Sequence, residues 1–387
     1  MKLLFFLSLF MLFYVYLGYP ALIALLSLIK NRRVEKNPFE PIVSILISAY
    51  NEQDAIETTL KNKLDLDYPN EKLEVIVISD GSTDRTDEIV KKYEGKTVRL
   101  IRQEPRAGKT SALNMVVPEA KGELLVFSDA NSIWARNALE KLMMNFADPR
   151  VGYVTGKMIY TDTSGNPIGD GCSAYMKYEN QLRSWETRLG SIVGVDGGID
   201  AVRKKLYQPM TPDQLPDFVL PLKVVEQGYR VVYEPHAILK EPPLTTGQDE
   251  YKMRVRVALR ALWGMWDMRH LLTFSRSPSL RLSRSILFAW QLWSHKVLRY
   301  LCFLLLVIAY FSNLALWSEG AFYKLLFIIQ TMAYAGAVLS PVLEKKDIRS
   351  RLLYLLNYFA LLNLASAHAF IKFLLGQKTV TWTPRKG

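Results

Sequence analysis

Cysteine and histidine are scarce in this chain of 387 residues. Cys172 and Cys302 are the only two cysteines, and there are four histidines. Such a pair supplies neither a disulfide framework nor the paired spacing of a zinc site, which agrees with a reducing cytoplasm. The sequence also lacks internal repeats and low-complexity segments, which argues against a repeat architecture.

Acidic residues are outnumbered, with 37 Asp and Glu against 49 Lys and Arg and a net charge of +12. Between Lys252 and Arg299 the only acid is Asp267, and four tryptophans lie among the ten basic residues. This pattern is typical of a chain on an anionic membrane surface. Nucleic-acid binding is the rival interpretation, but the apolar runs nearby favour membrane lipids as the partner and no nucleic acid.

Long apolar runs are the most prominent feature of the composition, which is 50% hydrophobic. Residues 3–29 carry no charge, and further apolar runs occupy 298–317, 321–343 and 352–375. Each is close to the roughly 20 residues that span a bilayer. A cleaved signal peptide has a shorter apolar core than the first run. The late runs are either membrane spans or buried core helices, and the basic connector at 344–351 favours cytoplasmic loops between spans. Four spans would place the middle domain in the cytoplasm and both termini outside.

The middle of the chain alternates between apolar strands and amphipathic helices, which predicts a parallel, doubly wound α/β sheet. The predicted strands are 43–48, 74–79, 97–102 and 123–128, and the predicted helices are 53–64, 84–94, 107–117 and 135–147. From about 150 to 245 the pattern is mixed. Strands are expected at 151–159 and 230–234, a polar helix at 174–189 and a glycine-rich loop at 194–198.

Two of the predicted strands end in polar residues, Ser48 to Glu52 and Asp129-Ala130-Asn131. The carboxyl ends of parallel strands meet at the crevice where α/β sheets bind ligands, so these side chains are expected at one site. Oxygen donors of this kind suit Mg²⁺ or Mn²⁺ bound together with substrate phosphates. The pattern indicates a site for a nucleotide and a metal.

Five blocks in order carry a resemblance to a known family: Ser48-Ala49-Tyr50-Asn51-Glu52, Ser79-Asp80-Gly81-Ser82-Thr83-Asp84, Gly108-Lys109-Thr110-Ser111-Ala112-Leu113-Asn114, Asp129-Ala130-Asn131 and Asp217-Phe218-Val219-Leu220-Pro221. With them the chain resembles, over nearly its whole length, the membrane-bound family-two glycosyltransferases. These include the cellulose, chitin, hyaluronan and poly-N-acetylglucosamine synthases. The resemblance implies a GT-A-like α/β domain attached to transmembrane helices.

The resemblance also implies roles for particular residues. Asp217 is expected to be the catalytic base, and Asp129 with Asn131 the ligands of Mg²⁺ or Mn²⁺. The nucleotide-binding residues implied are Ala49, Tyr50, Asn51, Glu52, Asp80, Lys109, Asp129, Arg254 and Arg256. The acceptor residues implied are Gly194, Asp196, Gly197, Gly198, Trp263 and Trp266.

Structural roles compete with several of these assignments. Ser82 to Asp84, Asn131 and Asp217 each precede a predicted helix and are candidate N-caps. Lys109 is either a diphosphate ligand or a solvated surface charge. Gly108-Lys109-Thr110 is not a Walker loop, because Gln103 stands where that loop needs a glycine.

The chain departs from the family pattern at three places. Asn131 replaces a second aspartate, Pro216 replaces the acid before the base, and Val257 stands where processive synthases carry a tryptophan that stacks on the acceptor. Trp263 or Trp266 either substitutes for it or belongs to an interfacial aromatic belt.

We therefore expect an inverting membrane enzyme that transfers a sugar from a UDP-sugar to a growing polysaccharide or oligosaccharide. One alternative is transfer of a single sugar to a lipid or lipid-linked acceptor, and another is an inactive scaffold that binds a sugar nucleotide. The expected organisation is a transmembrane helix at 1–30, a cytoplasmic GT-A-like domain at 40–245, interfacial helices at 246–297, three transmembrane helices at 298–376 and a tail at 377–387.

Overall fold

A computed structural model describes residues 1–160, 167–242, 244, 246–273, 282–344 and 350–381. One eight-stranded sheet organises the middle of the chain. Its strands are β1 (Val43–Ala49), β2 (Leu73–Asp80), β3 (Val98–Gln103), β4 (Leu124–Asp129), β5 (Ile133–Trp134), β6 (Val151–Tyr160), β7 (Asp200–Arg203) and β8 (Arg230–Glu241).

The sheet has the order β3-β2-β1-β4-β7-β6-β8-β5. The first four strands in this order are parallel, as predicted. The second half is mixed, because β7 runs antiparallel to both β4 and β6 while β6 and β8 are parallel. The four strands for which a parallel arrangement was predicted are therefore parallel, and the part from 150 onward is mixed as expected. Strands β5 and β7 were not predicted.

Helices cover both faces of the sheet, so β1 is buried at every position. Leu46 packs in one hydrophobic core, while its neighbours Ile45 and Ile47 pack in the other. This alternation follows from the two-residue period of side chains along a strand. The helices of this part are α2 (Ile56–Leu64), α3 (Thr86–Lys91), α4 (Lys109–Val116), α5 (Ala138–Met144), α6 (Pro167–Leu189) and α7 (Pro216–Glu226).

The remaining helices are α1 (Lys2–Ile29), α8 (Gly247–Asp267), α9 (Ser285–Tyr300), α10 (Cys302–Ala315), α11 (Ala321–Glu344) and α12 (Arg351–Leu374). Among the described residues three helices, α1, α11 and α12, are long and apolar enough to cross a membrane. Helices α9 and α10 make a fourth candidate together, although they meet at a bend of 59°. The apolar run at 298–317 gave no sign of this bend.

Contacts at the ends of these helices contradict the predicted position of the C-terminus. Lys2 pairs with Glu319 at 2.8 Å, so the N-terminus and the α10–α11 loop share one end of the bundle. The C-terminal tail lies against the α/β domain, since a Cβ on Gly108 would lie 2.8 Å from the Val380 carbonyl oxygen. Four complete crossings would put Val380 on the opposite side from Gly108. The prediction that both termini lie away from the domain is therefore wrong for the C-terminus. The basic connector at 345–349 lies outside the described residues.

Candidate active site

Lys109 lies between two carboxylates at the carboxyl edge of the sheet. Its ammonium group is 2.8 Å from Asp129 Oδ1 and 3.6 Å from Asp217 Oδ1. Burial alone would lower the pKa of Lys109, but the charges of Asp129 and Asp217 outweigh it and the pKa is raised. Lys109 is therefore a fixed positive charge and not the solvated surface residue of the competing interpretation.

Asp217 reaches this position from the first turn of α7, which begins at Pro216. The N-cap of that helix is Leu215, so Asp217 is not the cap residue that the sequence also allowed. Its carboxylate is 22% exposed and faces the same cavity as Lys109. An acid that is partly accessible beside a fixed cation is a suitable proton acceptor.

The glycine-rich loop packs directly against Asp217. Gly197 has a φ of +79°, and a Cβ there would lie 2.8 Å from Asp217 Oδ2. Gly194 contacts a second basic residue, because a Cβ there would lie 2.5 Å from Lys296 Nζ. Gly198 also has a positive φ, of +75°. Only glycine combines these conformations with such close approach.

Asp196, the acidic residue of this loop, forms an ion pair with Arg183 of α6 and is almost fully buried. Arg183 also donates a hydrogen bond to the Gly194 carbonyl oxygen at 3.2 Å. Both interactions fix the loop to α6. Asp196 therefore helps to hold the glycine-rich loop in place.

Asp80 is fully buried at the end of β2. Its carboxylate accepts hydrogen bonds from the backbone N–H groups of Ala107 and Gly108, at 2.8 Å and 3.0 Å. These bonds hold the turn that begins α4 and so position Lys109. The contact of Asp80 with a nucleotide base stays a prediction, and this geometry favours a positioning role.

The loop after β1 is fixed to the loop after β2. Asn51 has a φ of +53°, and its side-chain oxygen accepts a hydrogen bond from the Thr83 N–H at 2.8 Å. The Tyr50 ring stacks with the Arg106 guanidinium, which lies 3.4 Å from the ring centroid. Glu52 lines the cavity beside Lys109. Contacts between loops therefore hold this part of the predicted nucleotide site in place.

Asp129 and Asn131 lie on a tightly held turn that lines the same cavity. Thr59 Oγ1 donates to the Ala130 carbonyl oxygen at 2.7 Å, and Lys63 Nζ donates to the Ser132 carbonyl oxygen at 2.6 Å. Helix α5 has Asn137 as its N-cap, so Asn131 does not cap it.

The described residues contain no group of three or more His, Cys, Asp or Glu side chains that would hold a metal by themselves. Asp129 is 36% exposed and supplies one carboxylate. Mg²⁺ and Mn²⁺ usually bind through one or two carboxylates together with substrate phosphates. The donor set fits a divalent ion that arrives with the nucleotide.

Two functional neighbours were missed in the sequence. Asp200 on β7 is fully buried, and neither of its carboxylate oxygens has a hydrogen-bond partner among the described residues. Burial, with the charge of Asp217 second, raises the pKa of Asp200 to about 8. Arg260 of α8 donates to the Gln214 carbonyl oxygen and to Thr110 Oγ1, and so ties the segment before Asp217 to α4. Burial lowers the pKa of Arg260 to about 10.

A cavity of about 250 Å³ brings together these predicted and added site residues: Glu52, Lys109, Asp129, Asn131, Gly194, Asp196, Asp217, Arg254, Arg256 and Arg260. Asp80 and Asp200 lie behind its wall and do not line it. Trp263 and Trp266 do not line it. Trp263 packs on Phe373 and donates to the carbonyl oxygen of Gln377, and Trp266 is 54% exposed. Their side chains lie on the part of α8 that faces the tail, which gives no support to their predicted role in acceptor binding.

The fold and the cavity define a domain for nucleotide-sugar chemistry, and comparison with known proteins supplies the family. Residues 44–208 match the family described as Glycosyl transferase family 2. Residues 44–208 thus match a family 2 glycosyltransferase domain, and the family part of the resemblance is confirmed for these residues.

Two curated relatives illustrate the match. The poly-beta-1,6-N-acetyl-D-glucosamine synthase of Staphylococcus aureus is 30% identical over 222 residues, which are 56% of this chain and 53% of that protein. The beta-monoglucosyldiacylglycerol synthase of Nostoc sp. is 32% identical over 169 residues, which are 43% of this chain and 36% of that protein. The chain spans about a third to a half of these relatives' length.

A solved structure matches almost the whole chain. It is the mannosyltransferase PcManGT from Pyrobaculum calidifontis in complex with GDP-Man and Mn²⁺, with a TM-score of 0.73, 22% identity and coverage of 97% of this chain and 99% of that one. This likeness shows the fold, and the GT-A-like α/β class is confirmed.

Proposed function

We propose that this chain is an inverting glycosyltransferase that takes a sugar from a nucleoside diphosphate sugar, with a UDP-sugar as the expected donor. The observation that carries the proposal is the placement of Lys109 between Asp129 and Asp217 in one cavity. A cation beside a leaving diphosphate and a carboxylate beside an acceptor are the two groups that this reaction needs.

The reaction is a single displacement at the anomeric carbon of the donor sugar. An acceptor hydroxyl attacks that carbon, the bond to the diphosphate oxygen breaks, and the diphosphate leaves with the electron pair. Asp217 takes the proton of the hydroxyl, and Lys109 stabilises the negative charge that develops on the diphosphate. Asp129 and Asn131 would hold a divalent ion, which supplies further positive charge at the diphosphate. One displacement inverts the configuration of the carbon.

The acceptor has two candidates. A saccharide chain is the first expectation from the sequence, and the name of the Staphylococcus aureus relative supports it. A lipid is the second, and the name of the Nostoc relative is that of a glycolipid synthase. The tryptophans predicted to hold a growing chain lie away from the cavity, which weakens the first candidate.

We also propose the arrangement expected from the sequence for the catalytic domain, with residues 40–245 on the cytoplasmic face and residues 246–297 along the membrane surface. The candidate spans and the basic, tryptophan-rich segment support it. The inactive-scaffold alternative is disfavoured because Lys109, Asp129 and Asp217 meet in one cavity.

The test is nucleotide release and product mass with purified full-length protein, a panel of UDP-sugars and GDP-mannose, and Mn²⁺. We expect one UDP-sugar to be consumed and Asp217→Asn to reduce kcat about 10²–10⁴-fold while UDP affinity changes only a few-fold. Asp213→Asn is the matched control, because Asp213 lies four residues away and pairs with Lys378 at 2.6 Å outside the cavity. Comparable turnover by the Asp217 variant would end the base assignment, and consumption of GDP-mannose alone would correct the donor.

A further inference from the structure

A second cavity, of about 440 Å³, lies between the catalytic domain and the apolar helices. Its walls are largely apolar. Tyr16 of α1 contributes to it, together with Leu355, Leu356, Phe359 and Leu362 of α12. Helices α1 and α12 are both long and apolar enough to be candidate membrane spans, so this cavity lies between the α/β domain and two candidate spans.

Basic side chains supply the charged part of this cavity, whose other polar groups are those of five tyrosines, Asn363 and Ser366. Arg254, Lys296 and Arg299 line it, with His295, and no acid is among its described lining residues. The acids that compensate these charges lie behind them. Glu250 accepts from Arg254 Nε at 2.7 Å, and Glu179 accepts from Arg299.

Of the three cations, Lys296 lies farthest from the carboxylate that pairs with it. Its ammonium is 3.8 Å from a Glu179 oxygen that also lies 3.2 Å from His295. The cavity therefore presents a cationic group beside an apolar space. A polar headgroup of negative charge next to an apolar chain matches both properties.

The second cavity adjoins the catalytic one. Five residues line both: Tyr175, Arg254, Val257, Lys296 and Tyr300. Val257 gives the shared wall a small apolar side chain at the position where processive synthases carry a tryptophan.

The glycine-rich loop contacts a residue of each cavity and so limits the distance between Lys296 and Asp217. Gly194 contacts Lys296 and Gly197 contacts Asp217. Gly197 is three positions after Gly194, so their Cα atoms are at most about 11 Å apart, at 3.8 Å per step. A headgroup held at Lys296 is within reach of Asp217 through a short polar unit.

We propose that the acceptor is a membrane lipid whose headgroup carries a phosphate and a free hydroxyl, with its apolar chain in the second cavity and its phosphate at Arg254, Lys296 and Arg299. This inference rests on the proposed transfer reaction. The headgroup hydroxyl attacks the anomeric carbon, its proton passes to Asp217, and the nucleoside diphosphate leaves, so that the lipid gains one sugar. An isoprenoid diphosphate sugar and a glycerophospholipid share this chemistry.

The experiment uses the full chain in nanodiscs with the donor identified above. The acceptors are a polyprenyl diphosphate monosaccharide, phosphatidylglycerol, uncharged diacylglycerol and a soluble oligosaccharide, and products are read by mass. Leu362→Trp fills the second cavity, and its control, Leu364→Trp, adds the same bulk at a position that is 62% exposed on the same helix. Lys296→Gln removes a cation, and its control is Lys324→Gln on α11.

We expect one phosphate-bearing lipid to gain a sugar, which also identifies the source of the headgroup. Leu362→Trp and Lys296→Gln should each raise the KM for that lipid at least about tenfold, by the scale of about 1.4 kcal/mol per factor of ten. Hydrolysis of donor without acceptor should be unchanged in Leu362→Trp, because Leu362 does not line the catalytic cavity. The two control variants should behave as the native chain does.

Equal use of diacylglycerol would overturn the phosphate assignment, and extension of the oligosaccharide with unchanged KM in Leu362→Trp would overturn the lipid cavity. Absence of donor hydrolysis with every sugar nucleotide would count against the proposed function instead. In that case retention of fluorescent phosphatidylglycerol by the native chain, and its loss in Leu362→Trp, still decides whether the cavity binds lipid.

Discussion

Gly197→Ala offers a sharp test of the catalytic geometry, because it changes one hydrogen to a methyl group. The added Cβ would lie 2.8 Å from Asp217 Oδ2, while ordinary van der Waals contact begins at 3.4 Å. The carboxylate or the loop must therefore move by about 0.6 Å, close to the tolerance of about 0.5 Å for catalytic groups. A misplacement of about 1 Å costs about 10²-fold in rate, so we expect kcat to fall about 10- to 100-fold.

The substitution also strains the backbone, since Gly197 has a φ of +79°. An L-residue in this region costs about 1–2 kcal/mol. Gly376→Ala separates the two effects, because Gly376 has a φ of +71° and nothing lies within 4 Å of its Cβ position.

The assay is steady-state nucleotide release, with thermal unfolding to compare stability. Both variants should lose similar stability, and only Gly197→Ala should lose kcat, with the KM for donor unchanged. If Gly197→Ala folds and turns over at the native rate, Asp217 is not held by this loop in the reactive state and the proposed geometry is wrong.

Three further results are expected. Asp129→Ala should abolish activity and the Mn²⁺ dependence of UDP affinity, and a Mn²⁺ dependence that the mutation leaves unchanged would place the metal elsewhere. The pKa of Asp200 is raised to about 8, so its burial as a neutral acid favours folding below about pH 4, and stability falls as pH rises from there to about 8. Asp200→Asn should flatten this slope and raise the melting temperature most at pH 8, and an unchanged pH profile of melting would contradict the shift. In a background without native cysteines, Ser318→Cys and Thr381→Cys should react with an impermeant reagent from opposite sides of the membrane, and labelling from one side would refute the placement of the tail.

The parallel half of the sheet was predictable because each of its strands is a continuous apolar run. Residues 43–48 and 74–79 were predicted, and the strands are Val43–Ala49 and Leu73–Asp80. Strand β7 was not predictable from the sequence, because its four residues, Asp-Ala-Val-Arg, form a short segment with a charge at each end. Its burial comes from pairing with β4 and β6, which no local pattern records.

The sequence predicted which residues belong to the site better than it predicted what each residue does there. Strand ends brought Asp129 to the cavity with Lys109, as the parallel sheet required. The direction of a buried side chain is set by its tertiary neighbours, so sequence alone did not show that Asp80 faces the backbone of residues 107 and 108. Arg260 was missed because an arginine in a basic helix resembles a surface charge, yet it is 6% exposed.

The contacts of the tail with the catalytic domain depend on the length of α12, because the tail directly follows this helix. Lys378 pairs with Asp213, the Gln377 carbonyl oxygen accepts from Trp263, and Val380 meets Gly108. One inserted residue in an α-helix advances everything after it by 1.5 Å and rotates it by about 100°. A single insertion in α12 would therefore displace all three contacts together. Conservative exchanges of its exposed side chains would leave the contacts in place. The length of this helix, and not its composition alone, is a property that the fold constrains.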